Sequence, residues 1–133
     1  MRKRLLYLPL PILTLILEAL PFGAVCQFAN PEGEPWRETF SYFSMTPFGY
    51  AHFSPLLTAL ASCAVGVLLL LYCFAASQKL LKSAKILCSC ALGLSLCPIL
   101  YGISFYSVVG ALITLSLGAE LLLLFLLREN RIQ

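Results

Sequence analysis

Apolar residues run along this chain in four blocks, set apart by polar or turn-forming segments. The first extends from Leu5 to about Phe28, behind the basic start Met1-Arg2-Lys3-Arg4. The others cover about 55–76, 84–103 and 108–127. At about 1.5 Å per residue, roughly 20 residues cross the ~30 Å hydrocarbon core of a bilayer. Each block therefore predicts a transmembrane helix. Residues 30–53 form the one substantial loop, opening with the breaker cluster Asn30-Pro31-Glu32-Gly33-Glu34-Pro35. Trp36, Phe40 and Phe43 then stand at i, i+4 and i+7, which predicts a short interfacial helix with Pro35 in its first turn. Residues 78–85 read as a basic connector, and 102–107 as a tight turn. Pro98 predicts a kink near the outer end of the third span.

Composition turns this pattern into a solvent argument. Of 133 residues, 60% are hydrophobic and 11% charged, against about 45–50% and about 25% in soluble domains. A water-soluble fold of this size buries too little surface to hide so much apolar side chain. The expectation is an all-α membrane protein: a single integral domain over 1–133, built as a four-transmembrane-helix bundle with the bilayer as its solvent. A cleaved signal peptide shares the basic start and apolar run, with Ala24-Val25-Cys26 as its small-residue site. The first run exceeds the roughly 7–15-residue core of such signals, which favours a retained helix.

Charge orients the bundle. The net charge is +3. Arg2, Lys3, Arg4, Lys79, Lys82, Lys85, Arg128 and Arg131 all fall on one side of a four-span arrangement, and Arg37 alone on the other. That is the positive-inside pattern. It places both termini in the cytoplasm of a cell (plasma) membrane protein and the 30–53 loop outside. The same distribution speaks against a nucleic-acid footprint. Three spans would split the basic clusters between the two sides.

The six cysteines, Cys26, Cys63, Cys73, Cys88, Cys90 and Cys97, lie in or beside apolar runs. Free cysteine behaves there as a small hydrophobe. Cys88 and Cys90 point about 200° apart on a helix, and the one histidine, His52, is distant, so neither a metal site nor a cofactor is expected. His52 reads as an interface residue. Close packing between spans is expected along small residues four apart. The candidates are Ser89, Gly93 and Cys97 on the third span, Gly110, Thr114 and Gly118 on the fourth, and Ala59 with Cys63 or Ser62 with Gly66 on the second.

Two acids carry the sharpest chemical signal. Glu18 and Glu120 each sit inside an apolar span, where a lone carboxylate costs several kcal/mol. Their depths differ, and no basic residue inside a span is available to neutralise them. Protonation, or a hydrogen bond to Tyr72, Tyr101 or Thr114, is the expected solution. Glu18, Glu120 and Tyr101 thus form a candidate intramembrane polar site. It reads either as a proton or cation relay or as an interhelical hydrogen-bond clamp. Pro21, three residues beyond Glu18, leaves the Leu17 carbonyl without its usual donor. In the outer loop, Trp36, Phe40 and Phe43 form a candidate interaction surface. It serves as an aromatic belt in the headgroup layer, or as a lid or docking face for a partner. No GxGxxG, phosphate-binding loop, HExxH or GxSxG motif occurs.

The stretch Asn30-Pro31-Glu32-Gly33-Glu34-Pro35-Trp36-Arg37-Glu38, followed by Thr46-Pro47-Phe48-Gly49-Tyr50, resembles a pattern in short uncharacterised membrane proteins of Gram-positive bacteria. The resemblance covers about residues 15–75 and implies a membrane location without an activity. In having four helices and an acid in the first, Glu18, the chain is also similar to small multidrug transporters, although their loops are short and this outer loop has 24 residues. Three functions follow in order. The first is a non-enzymatic accessory, sensory or structural membrane component that works through a membrane protein partner or a homo-oligomer. The second is a small proton- or cation-coupled transporter or channel component using Glu18. The third, a lipid-modifying enzyme, lacks the usual His/Asp/Glu cluster.

Overall fold

The computed structural model describes residues 2–45 and 53–129. The Thr46–Tyr50 motif, His52 and Arg131 lie outside the described residues. The chain forms a short helix α1 (Arg2–Leu5), α2 (Pro9–Ala19), strands β1 (Ala24–Phe28) and β2 (Trp36–Phe40), then three long helices. These are α3 (Ser54–Ala75), α4 (Gln78–Tyr101) and α5 (Val108–Glu129), with a 3-10 turn at Ile103–Phe105 between the last two. The protein is mostly helical, and α3, α4 and α5 are each long and apolar enough to cross a membrane.

The first apolar block departs from the single helix expected over Leu5–Phe28. Leu6, Tyr7 and Leu8 interrupt it, and α2 opens with Pro9 and Pro11 in its first turn, where a missing N–H costs nothing. The far end is set by Pro21. A residue before proline is pushed out of the helical region, and Leu20 is extended at φ −66°, ψ 139°. Alpha2 therefore stops at Ala19 after 11 residues, about 16 Å.

The chain then turns into a hairpin. Beta1 and β2 pair antiparallel with Ala24 opposite Phe40, Cys26 opposite Glu38 and Phe28 opposite Trp36. The expected interfacial helix over Trp36–Phe43 is thus a strand followed by a turn. A four-residue spacing lies on one face of a strand as well as of a helix, so Trp36 and Phe40 share a face in either form. Valine, threonine and aromatics favour the pleated surface, and a nearby strand was available to pair with. Asn30 organises the intervening turn, its side-chain oxygen accepting from the Glu32 N–H at 3.2 Å.

Residues 78–85 are not a connector. They form the first turns of α4, rich in the good helix formers Gln, Lys, Leu and Ala. The true connector is Ala76-Ser77. Ala76 adopts the left-handed conformation at φ 53° and donates its N–H to the Tyr72 carbonyl at 3.0 Å, closing α3. At the other end of α4, Gly102 takes φ 132°, a value suited to glycine. The expected tight turn follows there.

Long-range contacts join α2 to α3 and α5, α3 to α4, and α4 to α5. The four helical segments thus close a ring of antiparallel neighbours. Tyr7 meets Tyr72 edge-on at 5.7 Å near one end, and the Ser107 hydroxyl donates to the Gly23 carbonyl at 2.6 Å near the other. The buried core runs along the axis through Tyr7, Val65, Leu69, Tyr72, Ile113, Leu117 and Leu124.

The seam on α4 lies on a face other than the expected one. Ser89 and Gly93 are exposed, whereas Ala84, Cys88, Ala91 and Ser95 are buried. A Cβ at Gly93 or Gly118 would meet nothing within 4 Å, so neither glycine marks a close approach. Gly23 does. A Cβ there would lie 2.8 Å from the Tyr42 ring, which is itself buried. Gly23→Ala is expected to destabilise the protein by about 1–3 kcal/mol through overpacking. Gly93→Ala is expected to be neutral, or stabilising by up to about 1 kcal/mol. Thermal unfolding of the two variants in the same detergent separates them.

Candidate functional site: a polar ladder inside the bundle

Lipid offers no hydrogen-bond partner, so polar side chains in an apolar bundle gather where helices can satisfy one another. Alpha2 presents Thr14 and Glu18, one turn apart on its inner face, both fully buried. Alpha5 presents Ser116 and Glu120 with the same spacing, also buried. The rung between the helices is the Thr14–Ser116 hydroxyl pair at 2.6 Å. Thr14 also donates its hydroxyl to the Leu10 carbonyl at 3.0 Å, which leaves its oxygen to accept from Ser116.

Because α2 and α5 are antiparallel, Glu18 and Glu120 lie on opposite sides of this rung. Each is about 6 Å from it along the axis, at 1.5 Å per residue. The ladder is thus carboxyl, hydroxyl pair, carboxyl. Glu18 is 0% exposed and accepts a hydrogen bond from the Ser62 hydroxyl of α3 at 2.7 Å. Its backbone carbonyl accepts the Tyr42 N–H at 2.9 Å. Glu120 is 2% exposed. Glu18 Oε2 and Glu120 Oε1 make no hydrogen bond.

The partners anticipated for the acids are engaged elsewhere. Tyr72 packs on Tyr7. Thr114 meets the Tyr106 hydroxyl at 2.6 Å and donates to Ser95 at 3.2 Å, a separate clamp between α4 and α5. Tyr101 is 51% exposed at the end of α4, so the structure does not bring it to Glu18 and Glu120. Ser62, Thr14 and Ser116 are the site residues that sequence reasoning did not assign to the acids. Their signal was a hydroxyl at helical spacing on the face of an acid, Thr14 four before Glu18 and Ser116 four before Glu120. A further correction concerns α4. Lys85, read as part of a polar connector, is only 9% exposed, with its ammonium 4.6 Å from the centre of the Phe125 ring.

The hairpin closes one end of the ladder. Ala24 bridges to Tyr106, and Ser107 caps α5 by accepting the Gly110 N–H at 2.8 Å while donating to Gly23. Cys26 is buried in the hairpin. Burial, with Glu38 alongside, pushes its thiol up, so it stays protonated and a poor nucleophile. Within the hairpin Phe28 stacks on Trp36 at 5.4 Å and meets Phe40 edge-on at 6.3 Å, and Phe40 packs against the core. Trp36 remains 49% exposed, and Phe43, also exposed, lies beyond β2 rather than on its face. The ring contacts join Phe28, Trp36 and Phe40.

Two cavities lie apart from the ladder. One of about 400 Å³ is an apolar groove between α2 and α3, lined among others by Pro11, Leu15, Cys63 and Gly66. The other, about 310 Å³, is lined among the described residues by Gln78, Leu81, Lys82 and Lys85. Neither is lined by Glu18 or Glu120. Among the described residues, no group of three or more His, Cys, Asp and Glu could hold a metal ion.

Removing the Ser62 hydroxyl takes away the hydrogen bond to the Glu18 side chain. Ser62→Ala is expected to cost about 0.5–2 kcal/mol, the range for interhelical hydrogen bonds in membranes. In the Glu18→Gln background the loss is expected to shrink, because an amide oxygen is a weaker acceptor than a carboxylate. A double-mutant cycle by reversible unfolding in micelles reads the coupling. Comparison with protein families, curated proteins and solved structures finds no match to this chain.

Proposed function

We propose that this chain is a multi-pass protein of the cell membrane that performs no catalysis of its own. It serves as an accessory, sensory or structural component, engaging a membrane partner or a second copy through its outer hairpin. The observation that carries this reading is the hairpin itself. It is pinned to the bundle by Ser107–Gly23, Ala24–Tyr106 and Tyr42–Glu18, and in its Phe28–Trp36–Phe40 group Phe40 packs against the core while Trp36 is exposed. A two-stranded hairpin is marginal by itself, and anchoring it this firmly holds the exposed Trp36 ring in a fixed place.

In this proposal the chain crosses four times, with both termini cytoplasmic. The segment from Arg2 to Ala19 makes the first crossing as a broken helix. Support comes from its reach: Arg4 contacts the Cys73 carbonyl at one end of α3, and Gly23 meets Ser107 at the opposite end of the bundle. Tags at the two termini are expected to resist protease outside intact cells, while a cysteine introduced at Glu32 is labelled by an impermeant thiol reagent. Termini on opposite faces sink the four-span topology.

The partner role has its own test. Gentle extraction of native membranes followed by sizing is expected to give a complex larger than the monomer. Trp36→Ala with Phe40→Ala should dissolve it, and Glu18→Gln should leave it intact. A complex indifferent to the hairpin substitutions overturns the role.

A second reading, the proton- or cation-coupled transporter or channel component, is favoured by one specific observation: the buried Glu18 and Glu120 oxygens that make no hydrogen bond. It requires Glu18→Gln to abolish ion flux in proteoliposomes without loss of expression.

A further inference from the structure

The hydroxyl pair between Glu18 and Glu120 has acceptor capacity left over. Thr14 gives its proton to the Leu10 carbonyl, so the Ser116 hydroxyl is the donor across their 2.6 Å contact. A hydroxyl carries one proton and two lone pairs. Ser116 Oγ, having donated, keeps lone pairs to offer. Glu18 accepts from Ser62 at Oε1, 2.7 Å away, while its Oε2 is fully buried and accepts from nothing. Glu120 Oε1 is also buried without a hydrogen-bond partner.

Helix geometry turns these oxygens toward one another. Side chains on an α-helix lean toward its N-terminus. Glu18 therefore leans back toward Thr14, and Glu120 leans back toward Ser116. Alpha2 and α5 run antiparallel with Thr14 opposite Ser116, so the two carboxyls approach the same rung from its two sides. Three acceptors gather there: Glu18 Oε2, Ser116 Oγ and Glu120 Oε1. The Ser62 hydroxyl of α3 holds the Glu18 carboxyl in place from the side. Buried acceptors left unanswered are costly, and a buried carboxylate most of all. A cluster made of oxygens with lone pairs to offer is the complement of a small hard cation.

We propose that this cluster binds one sodium ion. Glu18, ionised, balances its single charge through Oε2. Glu120 stays protonated and offers the carbonyl oxygen Oε1, and Ser116 Oγ is the third ligand from the protein. Divalent ions fit less well. Calcium takes about 6–8 oxygens and magnesium retains several waters, more than a buried cluster of this size supplies. The proposal rests on the second functional reading, in which Glu18 works with a cation, and it names that cation. The partner role of the hairpin is independent of it.

Sodium chloride is titrated into the full chain in uncharged detergent, with choline chloride holding the ionic strength constant, and thermal unfolding is followed. Sodium is expected to raise the unfolding temperature saturably. Ser116→Ala is expected to weaken the apparent sodium affinity about tenfold or more, the scale for losing a group that supports a bound metal. Ser95→Ala removes a buried hydroxyl from the separate α4–α5 clamp and is expected to change that affinity by less than about twofold. Glu18→Gln should abolish the response, and where it fails to fold, Ser116→Ala decides. No response to sodium beyond that to choline, or an unchanged affinity in Ser116→Ala, overturns the site. Flux in proteoliposomes is read separately. A saturable sodium response without flux supports the site and sinks the transport reading. Proton flux that depends on Glu18, without a sodium response, overturns the site and leaves the transport reading standing.

Discussion

A bilayer interior offers no water, so every polar group carried into it must be answered from within the protein. That requirement organises this fold. Thr14 and Glu18 on α2 are met by Ser116 and Ser62 from two different helices. Thr114 on α5 is met by Ser95 and Tyr106. Apolar faces could slide past one another at little cost in lipid, since hydrocarbon is as good a neighbour as leucine. The hydroxyl and carboxyl pairs cannot. They define the register of α2 against α5 and of α4 against α5, and the apolar core falls into place between them.

The broken first segment follows from the same accounting. Once Pro21 ends α2, the backbone beyond it loses the helix as a source of hydrogen bonds. The structure supplies replacements one by one. Glu18 O is taken by Tyr42, Gly23 O by Ser107, and Ala24 bridges to Tyr106. From Ala24 onward the β1–β2 ladder takes over. The hairpin is therefore the device that satisfies an interrupted helix. Gly23 is tied to this arrangement because the Tyr42 ring occupies the space a side chain would need.

The two ends of the bundle differ chemically. One is closed by the hairpin, the α4–α5 turn and Tyr42. The other gathers Lys82, Lys85 and the N-terminus of α4 around an open cavity. Between them the acids are buried, and neither lines these cavities.

Apolar run lengths and the few breakers predicted four membrane-length helices, of which the last three form as such while the first block breaks, together with the turn at Gly102 and two acids in apolar surroundings. These depend on local chain properties: rise per residue, the missing donor of proline, the freedom of glycine. The hairpin was not legible, because Trp36 and Phe40 share a face in a strand and in a helix alike, and only the pairing with Ala24–Phe28 decides between them. The inner face of α4 was not legible either. Ser89, Gly93 and Cys97 and the true seam of Ala84, Cys88, Ala91 and Ser95 are both rows of small residues, and contact with α3 and α5 selects one. Lys85 looked like a loop residue for the same reason. Its burial depends on Phe125, 40 residues away on another helix, and that is a distance only the folded chain can close.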